Sequence, residues 1–190
     1  MRAVITIAVV ALAIPSTLAA QETPAAPQTE AQVDYQGFAE LTDKVFAYRQ
    51  QRLVSLEEFN RRAATEDVLI LDTRSAAAFA AGHVKGAVNL PFSDFTDEKL
   101  RKVIGDDQDR QILIYCNNNF RDNAFPVVGK KATLALNIPT FINLYGYGYR
   151  NVYELKGSYY LADPEIAWTG ERPDPNNPLL RLPIGQRQLR

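Results

Sequence analysis

Residues 111–121 read QILIYCNNNFR, and they decide the fold. Ile112, Leu113, Ile114 and Tyr115 form a short, wholly apolar, partly β-branched run, the pattern of a strand buried on both faces. The run stops at Cys116 and three asparagines follow, a composition suited to turns and tight loops. A thiol at the carboxyl end of a buried strand, opening a polar loop, sits where open α/β sheets put their ligand crevices. For that sulfur to act as an anion it needs amide or basic groups around it. Arg121 is the nearest source of charge in the sequence.

Working outward, strand and helix signals alternate. Residues 68–72, VLILD, read as a second buried strand that ends in Asp72-Thr73-Arg74. Further upstream, Phe38, Leu41, Val45 and Tyr48 recur at helical spacing behind Asp34, a natural N-cap, and predict an amphipathic helix over 35–50. Leu53-Val54 is an extended pair, and Ser55 with Glu58 makes a capping-box spacing before a helix carrying Leu56, Phe59 and Ala63. Residues 75–81 are alanine-rich and helix-prone, with Gly82 expected at C′. A short strand is expected around Ala87 to Leu90. Thr96 caps a helix that carries Asp97 and Glu98 in its first turn and Gly105 after its end. Asn137-Ile138-Pro139 opens a helix running to about Gly146 or Gly148, and Val152 to Leu155 form one more strand. Such alternation argues for an α/β fold with a mostly parallel sheet covered on both faces.

The chain has 190 residues with 46% apolar and 23% charged content, which suits one ordinary globular domain. A formal net charge of -1 gives no argument for nucleic acid or an anionic membrane as the main partner, and neither is expected. Residues 1–20, MRAVITIAVVALAIPSTLAA, read as a cleaved signal peptide: a basic start, an apolar run broken by Pro15, and a small-residue end. That predicts export, fitting a bacterial periplasm, with no stable membrane anchor after cleavage. Residues 21–33 read as a flexible tether and 171–190 as an extended, Pro- and Arg-rich tail. In an oxidising compartment the single cysteine cannot staple its own chain, so it is an inert buried thiol, an intermolecular partner or a reactive group.

LILDTR at 69–74, FAAGHVKGAVNLPF at 79–92, ILIYC at 112–116, GYRNVYELKG at 148–157 and Trp168 with Gly170 follow one another in an order that resembles the rhodanese-like (sulfurtransferase) domain. The resemblance covers residues 53–170 and leaves 34–52 as an added helix packed on the domain. It implies a mostly parallel five-stranded sheet flanked by helices on both faces. It further implies that Cys116 takes sulfane sulfur from a thiosulfate-like donor, holds it as a persulfide and passes it to a thiophilic acceptor. In that reading Asn117, Asn118, Asn119, Phe120 and Arg121 form the substrate loop. Its amides cradle the anion, its six-residue span suits a persulfide, and Arg121 balances charge. Asp72 and Arg74 would support the loop from the neighbouring strand end.

The chain departs from the family pattern in three places. Ala78 stands where an acidic partner for Arg74 is usual, asparagines replace the glycine-rich or basic loop filling, and an insertion lies around Asp122 to Lys131. These departures keep a second reading open: a catalytically silent module that binds a protein partner. A redox or phosphatase activity is a weaker third, with no resolving thiol for the one and too short a loop for the other. His83, Lys130, Lys131 and the tyrosines of 144–149 are read as structural or solvated. No cofactor and no metal site is expected.

Overall fold

The strand Ile112–Tyr115 (β5) lies at the centre of the sheet, hydrogen-bonded on both edges. The computed structural model describes residues 32–174; the leader, nearly all of the tether and most of the tail lie outside the described residues. Leu53–Val54 (β1), Leu69–Asp72 (β2), Val88–Asn89 (β4) and Val152–Leu155 (β6) join β5 in a five-stranded sheet ordered β1-β6-β5-β2-β4. Every pairing in it is parallel. In register, Ile112 stands opposite both Leu69 and Val152. This is the α/β architecture that the apolar runs imply.

A strand buried on both faces still alternates its side chains, and the two cores record this. Leu69, Leu71, Ile112, Ile114 and Val152 enter one core; Ile70, Leu113, Tyr115 and Leu155 enter the other. The first core is roofed by Tyr35–Gln50 (α1), Asp97–Ile104 (α4) and Asn137–Gly146 (α5). The second is closed by Leu56–Ala63 (α2) and by a separate antiparallel pair, Gly82–Val84 (β3) with Trp168–Gly170 (β7). A short helix, Ala76–Ala81 (α3), buries no residue fully.

Local chemistry accounts for the helix ends. The Asp34 carboxylate accepts the Gly37 N–H at 2.7 Å, and Ser55 and Thr96 hydroxyls accept from Glu58 and Lys99, each at 3.2 Å. The Ser55–Glu58 box is only half made, because the Glu58 carboxylate turns forward to Arg61 and Arg62. Gly105 ends α4 with φ 100°, a backbone state that favours glycine.

Gly82 corrects the sequence reading. Its φ is -179°, so it starts β3 rather than serving as a left-handed stop. It is glycine for lack of room: a Cβ there would lie 2.8 Å from the Trp168 indole nitrogen. α1 is held on α5 by Tyr48, whose ring meets Phe141 and Tyr145 edge-on at 6.5 and 5.1 Å.

Candidate active site

Cys116 directly follows β5, and its neighbours leave in different directions. Asn117–Asn119 form one 3-10 turn, after which Phe120 drops into the second core against Tyr115 and Trp168, at 5.9 and 5.2 Å between ring centroids. Arg121 is drawn away from the sulfur: its Nε donates to the Ser158 carbonyl at 2.9 Å and its guanidinium lies over Tyr160. The amides of Asn119, Phe120 and Arg121 are bonded to the carbonyls of Cys116, Asn117 and Tyr159. An anion cradle made from the amides of 117–121 with Arg121 closing it is therefore not what the chain builds.

The asparagines act instead as fasteners. Asn117 donates to the Val128 carbonyl, and Asn118 exchanges two bonds with the Lys130 backbone, at 2.7 and 3.1 Å. Both bind the insertion to the cysteine loop. None of the three has positive φ, so tolerance of a left-handed turn is not their role here. Asn119, 5% exposed, ties strand ends together: its Oδ1 accepts from the Cys116 amide and its Nδ2 donates to the Leu155 and Gly157 carbonyls.

The insertion returns the chain to the sulfur. After it, α5 begins at Asn137, and the backbone N–H groups of Leu136 and Asn137 join that of Asn118 in facing the Cys116 thiol. A helix N-terminus thus supplies two of the three donors, with the positive end of its dipole. Burial still dominates. Cys116 is 1% exposed, and desolvation pushes the thiol above its usual pKa; the amides of Asn137, Asn118 and Leu136 pull it down, while the Glu154 charge pushes it up.

Glu154 leads to the group that sequence reasoning missed. This carboxylate, 5% exposed on β6, is gripped bidentately by Arg49 of α1, both contacts at 2.5 Å. Hydrogen bonding to Glu154 raises the Arg49 pKa, so the guanidinium stays charged. Asn137 Nδ2 donates to Glu154 Oε1 and to Asn119 Oδ1, each at 3.1 Å. Two acceptors on one nitrogen fix which way the amide points, and its Oδ1 is left buried without a partner among the described residues. The single sequence signal for Arg49 was its place in the last turn of a helix outside the family pattern.

These groups line a cavity of about 430 Å³. Cys116, Asn118, Asn119, Asn137 and Glu154 form its polar side, α1 contributes Thr42, Val45, Phe46 and Arg49, and Lys156 is exposed at its edge. Asn117, Phe120 and Arg121 do not line it.

Asp72 and Arg74 lie elsewhere, in the second core. Arg74 finds in Asp72 the acid that Ala78 does not provide, with contacts of 2.6 to 3.0 Å. Arg74 also donates to the Pro126 and Gly82 carbonyls, and Tyr115 donates its hydroxyl proton to Asp72 while accepting from the Val84 amide. His83 stacks on Phe79 at 3.9 Å, with Nδ1 2.8 Å from the Phe79 carbonyl oxygen. Lys130 and Lys131 are exposed and outside the cavity. Among the described residues no group of three or more His, Cys, Asp or Glu is arranged to hold a metal ion.

The tRNA uridine(34) hydroxylase of Acinetobacter baumannii (strain AYE) is 29% identical over 122 residues, which cover 60% of this chain and 34% of that protein. The chain thus spans about a third of that relative. The uncharacterized protein YqhL of Bacillus subtilis (strain 168) is 28% identical over 115 residues, covering 60% of this chain and 75% of that one. Among solved structures, the human single domain sulfurtransferase TSTD1 matches with a TM-score of 0.39 and 20% identity, over 57% of this chain and 91% of that one. The rhodanese-like domain model matches residues 55–161, more than half of the sequence, and the chain belongs to the rhodanese-like domain family.

Proposed function

We propose that this chain is a sulfurtransferase that carries sulfane sulfur as a persulfide on Cys116. The observation that carries the reading is the convergence of three amides, from Asn118, Leu136 and Asn137, on a sulfur at the wall of a cavity. Amides that stabilise the thiolate also stabilise the persulfide anion that replaces it. The thiolate attacks the outer sulfur of a small sulfur-containing anion, the donor's S–S bond breaks with its electron pair on the leaving group, and a thiophilic acceptor later removes the outer sulfur. Arg49 neutralises Glu154, whose charge would otherwise oppose the thiolate. Asp72 and Arg74 support this from a distance, by fixing the end of β2 and the Pro126 carbonyl of the insertion.

Intact-mass measurement after exposure to thiosulfate or to the methanethiosulfonate anion tests the reading. The expected result is a one-sulfur adduct on the wild type that is absent in Cys116→Ser. No adduct from either donor would favour the second reading, a silent module that binds a protein partner. The upward push of burial on the thiol is the observation on that side. Export is part of the proposal and rests on residues 1–20; a mature N-terminus at Ala20 or Gln21 in periplasmic extract is the expected result, and retention of Met1 would overturn it.

A further inference from the structure

α5 begins without a side-chain cap. Leu136 holds the N-cap position and makes no capping hydrogen bond, the Ile138 N–H returns to the Ala135 carbonyl, and Pro139 has no N–H to give. The two N–H groups that remain, of Leu136 and Asn137, face the Cys116 sulfur. The sulfur thus stands where a capping oxygen would. Such donors serve a thiolate only if they are held in place. Core packing alone does not hold them. Ala135 and Leu136 are half-buried and Ile138 is exposed, and α5 enters the first core only from Phe141 onward.

The first turn is held by the Asn137 carboxamide. Its Nδ2 donates to Asn119 Oδ1 and to Glu154 Oε1, each at 3.1 Å. The same Asn119 oxygen accepts the Cys116 amide at 2.9 Å. A closed ring results. It runs from the Cys116 N–H to Asn119, on to the Asn137 side chain, through Asn137 to its own backbone N–H, and back to the sulfur of Cys116. The amides of Asn119, Phe120 and Arg121 cannot substitute, because they are bonded to the carbonyls of Cys116, Asn117 and Tyr159.

Resting on the sulfurtransferase reading, we infer that Asn137 is a positioning residue for the persulfide chemistry: through Asn119 and Glu154 its carboxamide sets the first N–H groups of α5 on the Cys116 sulfur. The side chain acts through the backbone that it places. Its partner Asn119 extends the same clamp to the ends of β5 and β6.

Asn137→Leu tests this, since it removes the donor and keeps the backbone N–H and nearly the same size. Asn119 Oδ1 retains the Cys116 amide and Glu154 retains Arg49, so neither acceptor loses its last partner and the fold should survive. Asn137→Ala removes the same donor without the bulk, and circular dichroism verifies both variants. The chain has one cysteine, so ultraviolet difference titration against Cys116→Ser follows that thiolate alone. In both Asn137 variants its midpoint should move about one pH unit to the alkaline side. Adduct formation from thiosulfate should then be about tenfold slower at neutral pH and recover at high pH. Amide exchange should speed at Leu136 and Asn137 more than in the rest of α5. Thr140→Val is the control: it removes the 2.8 Å bond between the Thr140 and Thr73 hydroxyls, deeper in the same helix, and should leave the midpoint in place.

An unmoved midpoint in both Asn137 variants would overturn the inference. A shift without faster exchange at 136 and 137 would assign it to the Glu154 charge, and an equal shift in Thr140→Val would assign it to general loosening of α5; either overturns the inference too. In all three cases a one-sulfur adduct on the wild type leaves the sulfurtransferase reading standing. No adduct on the wild type from thiosulfate or methanethiosulfonate would remove that reading, and this inference with it.

Discussion

Two ion pairs, one buried and one half-buried, sit near the carboxyl ends of the strands that flank β5, and they are built for different ends. In the Asp72–Arg74–Tyr115 cluster the polar groups are turned on one another or on backbone. Arg74 reaches Asp72, the Pro126 carbonyl and the Gly82 carbonyl, and Tyr115 bridges Asp72 to the Val84 amide. The Arg49–Glu154–Asn137 cluster is equally tight in its ion pair but lines a cavity, and it leaves the Asn137 Oδ1 unbonded among the described residues. A closed network holds architecture, since nothing in it is left to meet a ligand. The second cluster keeps one buried acceptor unpaired and borders the cavity that the Cys116 sulfur also lines.

Breaking the closed cluster should have the largest effect on stability. Arg74→Met leaves the Asp72 carboxylate buried at 0% exposure without its cation, a loss of about 3–5 kcal/mol in urea unfolding. Against a total of about 5–15 kcal/mol this is severe. A loss below about 1 kcal/mol would mean that the cluster is not the closed structural unit described.

Arg49→Met should cost less stability, about 1–3 kcal/mol, because the Arg49 side chain is 28% exposed and water can reach it. Its effect on chemistry should be the larger one. With Glu154 uncompensated near the sulfur, the pH profile of adduct formation should move to higher pH. Adding Glu154→Gln in the same chain should move it back. A profile unmoved by either substitution would place the open cluster with the closed one.

The wild-type profile has a defined sign. Burial raises the Cys116 pKa, so at neutral pH the thiolate fraction is below that of a free thiol, whose pKa is about 8.5. Adduct formation should therefore climb about tenfold per pH unit past pH 8.5 before it levels. A plateau reached earlier would show that the three amides outweigh burial. The same raised pKa means folding favours the protonated sulfur. That contribution to stability is complete below the unfolded thiol's pKa and is lost as pH rises through the folded one, so wild type should lose ground to Cys116→Ser in alkaline urea titrations.

The smallest expected change is Asn118→Ala. It removes two bonds to the Lys130 backbone, for about 1–2 kcal/mol, and should speed amide exchange across 122–131 more than elsewhere. Uniform exchange would show that the asparagines do not fasten the insertion.

Much of the fold was legible because its signals are local. Four apolar residues in a row at 112–115, a cap at Thr96 and a stop at Gly105 each depend on neighbours within a turn or a strand, and each is found in place. β3 and β7 were less legible, since three residues carry no usable period and the pair joins chain positions 84 and 168. Gly82 was misassigned for a related reason. A glycine required by a distant tryptophan looks in sequence like a glycine required by φ.

The sequence by itself determined which strands are buried on both faces and that the one thiol stands at the end of the central one. Those properties follow from composition and periodicity over a few residues. Tertiary structure alone decided what meets the sulfur. Arg121, five residues away, turns to Ser158, while Arg49 and Glu154, separated by 105 positions, close on the cavity beside it. An insertion carries the chain out and back so that the amides of Leu136 and Asn137 face an atom attached twenty positions earlier or more. Nothing local encodes such meetings, because they depend on how α1 and α5 pack over the same face of the sheet.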